Sequence, residues 1–107
     1  MIQFRHGFKV LSTPGFDGWL DSLGDLIGAA HIKVRLARAR DGHWGDCVSL
    51  GEGLFELRIH RGPGYRIYLT RLDSAVLLFL MGGDKSTQQA DIRVAKILAQ
   101  KYREDFV

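Results

Sequence analysis

Residues 56–68 read ELRIHRGPGYRIY, two runs of strict alternation joined by Gly62-Pro63-Gly64. No other stretch leaves the backbone so little choice. Proline presets φ at the second position of a tight turn, and glycine tolerates positive φ at the third. The pattern predicts a β-hairpin with strands over 54–61 and 65–71. Side chains alternate across a strand, so Leu57, Ile59, Ile67 and Leu69 fall on one face. Glu56, Arg58, His60, Arg66 and Tyr68 share the other, with Lys85 arriving from the end of the next strand. Arginine forks suit phosphate oxygens and stay charged at any cellular pH. Tyrosine rings such as those of Tyr65 and Tyr68 can stack on unpaired bases. A turn that fixes register would fix the spacing of Arg58 and Arg66. The plainer alternative is a set of outward-facing strand residues, with Arg58 paired to Glu56 or a neighbour.

The rest of the chain surrounds this hairpin with short elements. Ile2–Leu11 reads as a first strand, broken by Ser12-Thr13-Pro14-Gly15. Thr13 or Ser12 can cap a helix whose first position suits Pro14. Phe16, Trp19, Leu20 and Leu23 follow at helical spacing, and Gly24 ends that helix. Asp25 can open a second helix, with Leu26, Ile27, Ala30, Val34 and Ala37 as its apolar stripe and Gly42 as its stop. Asp46–Leu50 suits an edge strand. Ala75–Met81 is apolar throughout, as expected of a central strand covered on both faces. Gly82-Gly83-Asp84-Lys85 reads as a loop, compatible with a phosphate cradle or a simple bend. Ser86 with Gln89 three residues on suits a capping box. A last helix carries Ile92, Ala95, Leu98, Ala99 and Tyr102 along one side. Grouped helices and strands, without βαβ alternation, predict an α+β domain over residues 1–107. In it an N-terminal strand and a helical hairpin pack on one face of a twisted antiparallel sheet of four to five strands, with a C-terminal helix.

A chain of 107 residues can bury one modest core but not two. No apolar run approaches the roughly 20 residues of a membrane span, and MIQFRHGFKV lacks the apolar core of a signal peptide. Cys47 is the only cysteine, so no internal disulfide forms and a cytoplasmic location is expected; the thiol reads as a small filler rather than a nucleophile. His6, His31, His43 and His60 show no metal-ligand spacing, and neither metal nor cofactor is expected. The formal charge of +3 is unevenly placed: residues 31–71 carry eight basic and four acidic groups. Arg35 and Arg38 near the end of the second helix, with Arg61 at the turn, extend the basic surface. A basic centre points to an anionic partner such as nucleic acid, or simply to a solvated helix face. Trp44, in a glycine-flanked loop, suits either contact with RNA or packing under the hairpin.

Taken whole, GEGLFELRIHRGPGYRIY followed by LLFLMGGDKSTQQADI resembles the RelE/ParE superfamily of type II toxins. Within it the motifs are most similar to the phage-derived addiction module killer branch near the HigB toxins. FDGWL and GHWGD also fit that branch, and the resemblance covers about residues 10–100. It implies a helical hairpin on an antiparallel sheet with a C-terminal helix. It implies a toxin that enters the ribosome and cuts mRNA without a metal, by attack of the RNA 2′-hydroxyl on the adjacent phosphate. Such chemistry needs cations for the phosphorane charge, a group that takes the 2′-proton and one that protonates the leaving oxygen. The resemblance assigns Arg66 and Lys85 to transition-state charge and Arg58 to phosphate placement, with His60 or Tyr68 as proton shuttle. Glu56 stands where RelE has a second basic residue; it is either a base or the partner that holds Arg58. RelE's tyrosine at the start of the last helix has no match in STQQADI, residues 86–92. The implied partners are an antitoxin of helix-turn-helix type, the ribosome and its mRNA, and operator DNA only through the antitoxin; no membrane is implied. The competing functions are a ParE-like inhibitor of DNA gyrase and a decayed toxin that keeps only antitoxin binding.

Overall fold

The hairpin forms where the alternation places it. In the computed structural model, which describes residues 7–106, Leu54–Ile59 and Tyr65–Asp73 are paired antiparallel strands, β3 and β4. Their turn differs in one detail from expectation. The Gly64 amide donates to the Arg61 carbonyl at 2.9 Å, so Gly62, at φ 52°, holds the second position and Pro63 the third. Gly62 thus supplies the left-handed conformation that side-chain-bearing residues avoid.

In chain order the remaining elements are β1 (Lys9–Ser12), α1 (Pro14–Asp21), α2 (Leu26–Arg40), β2 (Cys47–Gly51), β5 (Val76–Asp84), a 3-10 turn (Lys85–Thr87) and α3 (Gln88–Asp105). The fold is α+β. Five strands lie in the order β1-β5-β4-β3-β2, and β1 runs parallel to β5. The sheet is therefore mixed, where an antiparallel one was expected. The first strand begins at Lys9, and residues 2–6 of its expected span lie outside the described residues.

Helices cover both faces of the sheet, not one. Phe16 of α1 and Ile32 and Ala39 of α2 pack with Leu57, Ile67, Leu69, Leu77 and Phe79. On the opposite face Ala95 and Ala99 of α3 pack with Leu54, Tyr68, Leu78 and Leu80. Two thin cores thus replace the single core expected from length, and β5, apolar from Val76 to Met81, feeds both. Gly82 and Gly83 are part of β5, correcting their assignment to a loop. Each accommodates a neighbour on its own face: a Cβ at Gly82 would overlap the Trp19 ring, and one at Gly83 the Asp91 carboxylate.

The α2 stripe is also corrected. Leu26 is 88% exposed, Ile27 66% and Val34 47%, so the predicted apolar line faces outward. The buried line is Gly28, Ile32 and Ala39, with Leu36 half-buried. Gly28 approaches the hairpin so closely that a Cβ there would lie 2.7 Å from Tyr65 Cε2. Thr13 and Asp25 cap α1 and α2 as expected. The last helix is entered differently: Asp84, with Thr87, forms the capping box, in place of Ser86 and Gln89.

Candidate functional site

Strand register brings four of the predicted residues into a block on the α3 face. Glu56 lies opposite Tyr68, and Arg58 opposite Arg66, which in turn lies opposite Gly83 of β5. Like charges directly opposite one another destabilise a sheet. Part of that cost is offset by Glu56, which is fully buried and accepts from Arg58 Nε at 2.8 Å and from Gln88 Nε2 at 3.0 Å. Burial pushes the Glu56 carboxyl up, but the hydrogen bonds from Arg58 and Gln88 outweigh it, and its pKa is lowered overall. The same contact raises the pKa of Arg58. Glu56 is thus an ionised anchor for Arg58.

Arg66 has no such anchor. It is 7% exposed and forms no ion pair among the described residues. Its Nη1 donates only to the carbonyls of Gly64 (3.3 Å) and Tyr65 (3.2 Å), and its Nε has no partner among the described residues. A buried, uncompensated charge is costly, by several kcal/mol on general grounds. Exposed Lys85 stands beside it: a Cβ on Gly64 would lie 3.4 Å from Lys85 Cβ and 3.6 Å from Arg66 Nη1. The strand pair therefore carries two guanidiniums, one anchored by Glu56 and one held by the carbonyls of Gly64 and Tyr65, with exposed Lys85 beside the second. Asp84, the acid next to Lys85, is turned to its helix cap, where hydrogen bonds from Ser86 lower its pKa.

Other predicted residues have structural work. Tyr68 is fully buried beneath α3; burial first, then the charge of Glu56, pushes its hydroxyl well above the ordinary tyrosine range. The hydroxyl lies near Glu56 without a well-aligned hydrogen bond. A buried phenol held neutral neither stacks on a base nor shuttles protons near neutral pH, which corrects both expectations. Tyr65 faces the other core, is 5% exposed, and donates to Asp25 at 2.6 Å. That bond pushes its pKa up to about 12. It ties the hairpin to the start of α2 and is closed to base stacking. Trp44 packs edge-on to Phe55 at 5.1 Å and near Phe8, the packing alternative for this residue. Arg35 donates to the carbonyls of Arg58, Trp44 and Asp46 at 2.5, 2.9 and 3.0 Å, so it is a backbone clamp where an RNA contact was expected.

His60 lies beyond the end of β3 and is hydrogen-bonded to the Asp46 carboxylate, whose pKa that bond lowers. Arg38 and Arg61 are exposed and line a separate groove with His60. Two contributors were missed in the sequence: Gln88, which orients Glu56, and Asp46, which holds His60. Gln88 had a signal, since it opens the last helix one short turn after the strand that ends at Asp84. Asp46 had none, because its partner is 14 residues away.

No family model matches the chain. An uncharacterized protein of Haemophilus influenzae is 45% identical to it over 93 residues, which is 87% of this chain and 94% of that protein. The aligned length and identity place both chains in one family: this protein belongs with that Haemophilus protein.

Proposed function

We propose that the protein is the toxin of a type II toxin-antitoxin module of the RelE/ParE kind, and that it cleaves mRNA on the ribosome. The observation that carries the proposal is Arg66. A guanidinium 7% exposed, with an orphan Nε and no ion pair among the described residues, has donors left for an anion, and Lys85 lies beside it at Gly64. A phosphodiester has the charge and the oxygen geometry for a guanidinium fork. In the reaction the RNA 2′-oxygen attacks the neighbouring phosphorus. The 5′-oxygen bond breaks, leaving a cyclic 2′,3′-phosphate and a free 5′-hydroxyl. Arg66 and Lys85 stabilise the charge that builds on the phosphoryl oxygens, and Arg58, held by Glu56, positions the group. With Tyr68 buried and Glu56 committed to Arg58, the remaining candidate for proton transfer is His60, exposed at the neighbouring groove and bonded there to Asp46. A cytoplasmic protein held inactive by a helix-turn-helix antitoxin completes the proposal.

The test is mapping of mRNA 5′ ends in a translating extract with wild-type protein, Arg66→Lys and Lys85→Ala. Ribosome-dependent cuts in phase with codons, weakened in both variants, are expected. Lys85 is exposed, so its variant tests the site without disturbing the core. Absence of cuts from folded wild-type protein would refute the nuclease, and inhibition of DNA gyrase would then be the assay.

A further inference from the structure

Between α2 and the end of β3 runs an open groove of about 470 Å³ that reaches Arg58, the arginine anchored by Glu56. His31, Val34, Arg38, Ile59, His60 and Arg61 line it. Its one acidic side chain, Asp46, is engaged by His60. Arg35 fixes the wall through its three carbonyl contacts, while Arg38 and Arg61 form no ion pair among the described residues. The groove is thus net cationic, with two free guanidiniums.

Its position relates it to the Arg66 site. Arg61 opens the hairpin turn, and Gly64, which closes it, lies against Arg66 and Lys85. Gly62-Pro63-Gly64 between them carries no bulky side chain, so a polyanion can pass round the tip closely and touch cations on both sides.

We propose that this groove binds the flanking phosphates of a single-stranded nucleic acid whose central phosphate lies at Arg66, with Arg38 and Arg61 as the contacts. The proposal rests on the nuclease reading for its substrate, but not for its measurement. A single strand is favoured over an acidic protein segment because the two cationic sites continue one another round a narrow tip. The flat imidazoles of His31 and His60 also suit unpaired bases.

The test is fluorescence anisotropy of a labelled single-stranded RNA, titrated with purified protein across a salt series. Each single-strand phosphate contact contributes about 0.7 to the slope of log affinity against log salt. Arg38→Gln with Arg61→Gln is therefore expected to reduce the slope by about 1.4. A control that removes equal charge from α3, Lys96→Gln with Lys101→Gln, is expected to change it far less. Both pairs are exposed, so folding is not at issue. Equal slopes for the two double variants would overturn the proposal, and so would displacement of the RNA by a poly-glutamate peptide at equal charge, which would assign the groove to an acidic protein. Cleavage by a variant that has lost no affinity would refute the groove alone. RNA bound in the groove but never cut would refute the nuclease alone.

Discussion

Replacing Glu56 by glutamine removes the only carboxylate bonded to the paired arginines and keeps its volume. In the native protein Glu56 accepts from Arg58 at 2.8 Å and from Gln88 at 3.0 Å while fully buried. The glutamine oxygen can still accept from Arg58, and Gln88 can turn its amide to receive the new NH2. Hydrogen bonding is therefore largely conserved and charge is lost. A hydrogen bond to a charged group is worth roughly 1.5–3 kcal/mol against about 1 kcal/mol for a neutral one. Breaking a buried pair would cost more, but the Arg58 side chain is 35% exposed and water compensates part of the loss. The expected net cost is about 2 kcal/mol, or roughly 8 °C in Tm for a domain of this size. The sign with pH follows. Glu56 has a folded-state pKa below its ordinary 4.5, so its contribution is full above that value and is lost as pH falls through the lowered pKa. Urea unfolding of both proteins from neutral pH to about pH 3 should show curves that converge in acid. Sulfate should also stabilise the variant more than the wild type, at matched ionic strength in chloride, because an anion then replaces the missing charge. A variant as stable as wild type, with no added response to sulfate, would refute the view of Arg58 and Arg66 as a cation pair held together by Glu56.

Four further outcomes are expected. Gly82→Ala should destabilise by about 1–3 kcal/mol in urea unfolding, because its Cβ meets the Trp19 ring. Gly18→Ala, in α1 with no atom near its Cβ, should instead stabilise by up to about 1 kcal/mol, and a loss there would contradict the placement of α1. Thr13→Ala removes both the cap on Phe16 N and the buried bond to the Leu80 carbonyl, and should cost about 2 kcal/mol by the same assay. Tyrosine ultraviolet titration should show Tyr65 ionising only near its raised value of about 12 and Tyr68 later still, with both returning to about 10 in urea. Because both phenols are held neutral by the fold, that stability is present below pH 10 and lost as pH rises, so alkaline unfolding should accompany their titration.

The division between what could be read from the sequence and what could not follows from how much each pattern excludes. Alternation in β3 and β4 admits only two orientations, and the apolar side had to be Leu57, Ile59, Ile67 and Leu69; that parity placed Arg58 beside Arg66. Helix α2 offers apolar residues on two lines. Leu26, Ile27, Ala30 and Val34 are the larger set, so hydrophobicity favours them. Gly28, Ile32 and Ala39 are buried instead, because the first of them lets Tyr65 approach and its neighbour Asp25 receives the Tyr65 hydroxyl. Steric access decided what apolar content could not. The same competition explains the site. Tyr65 and Tyr68 flank Arg66 in sequence and looked like a base-stacking surface, but α2 closes over one and α3 over the other. The apolar run Val76–Met81 of β5 was the available sign that both faces are covered; it implies that the tyrosines are core, and Arg66, at 7% exposure, is buried with them. Arg66 fits in the sheet where its neighbour on β5 is Gly83 and its neighbour at the turn is Gly64. Of the glycines that looked like loop punctuation in the sequence, Gly83 therefore makes room for the Asp91 carboxylate across from Arg66, and Gly64 keeps clear the ground between Lys85 and the guanidinium.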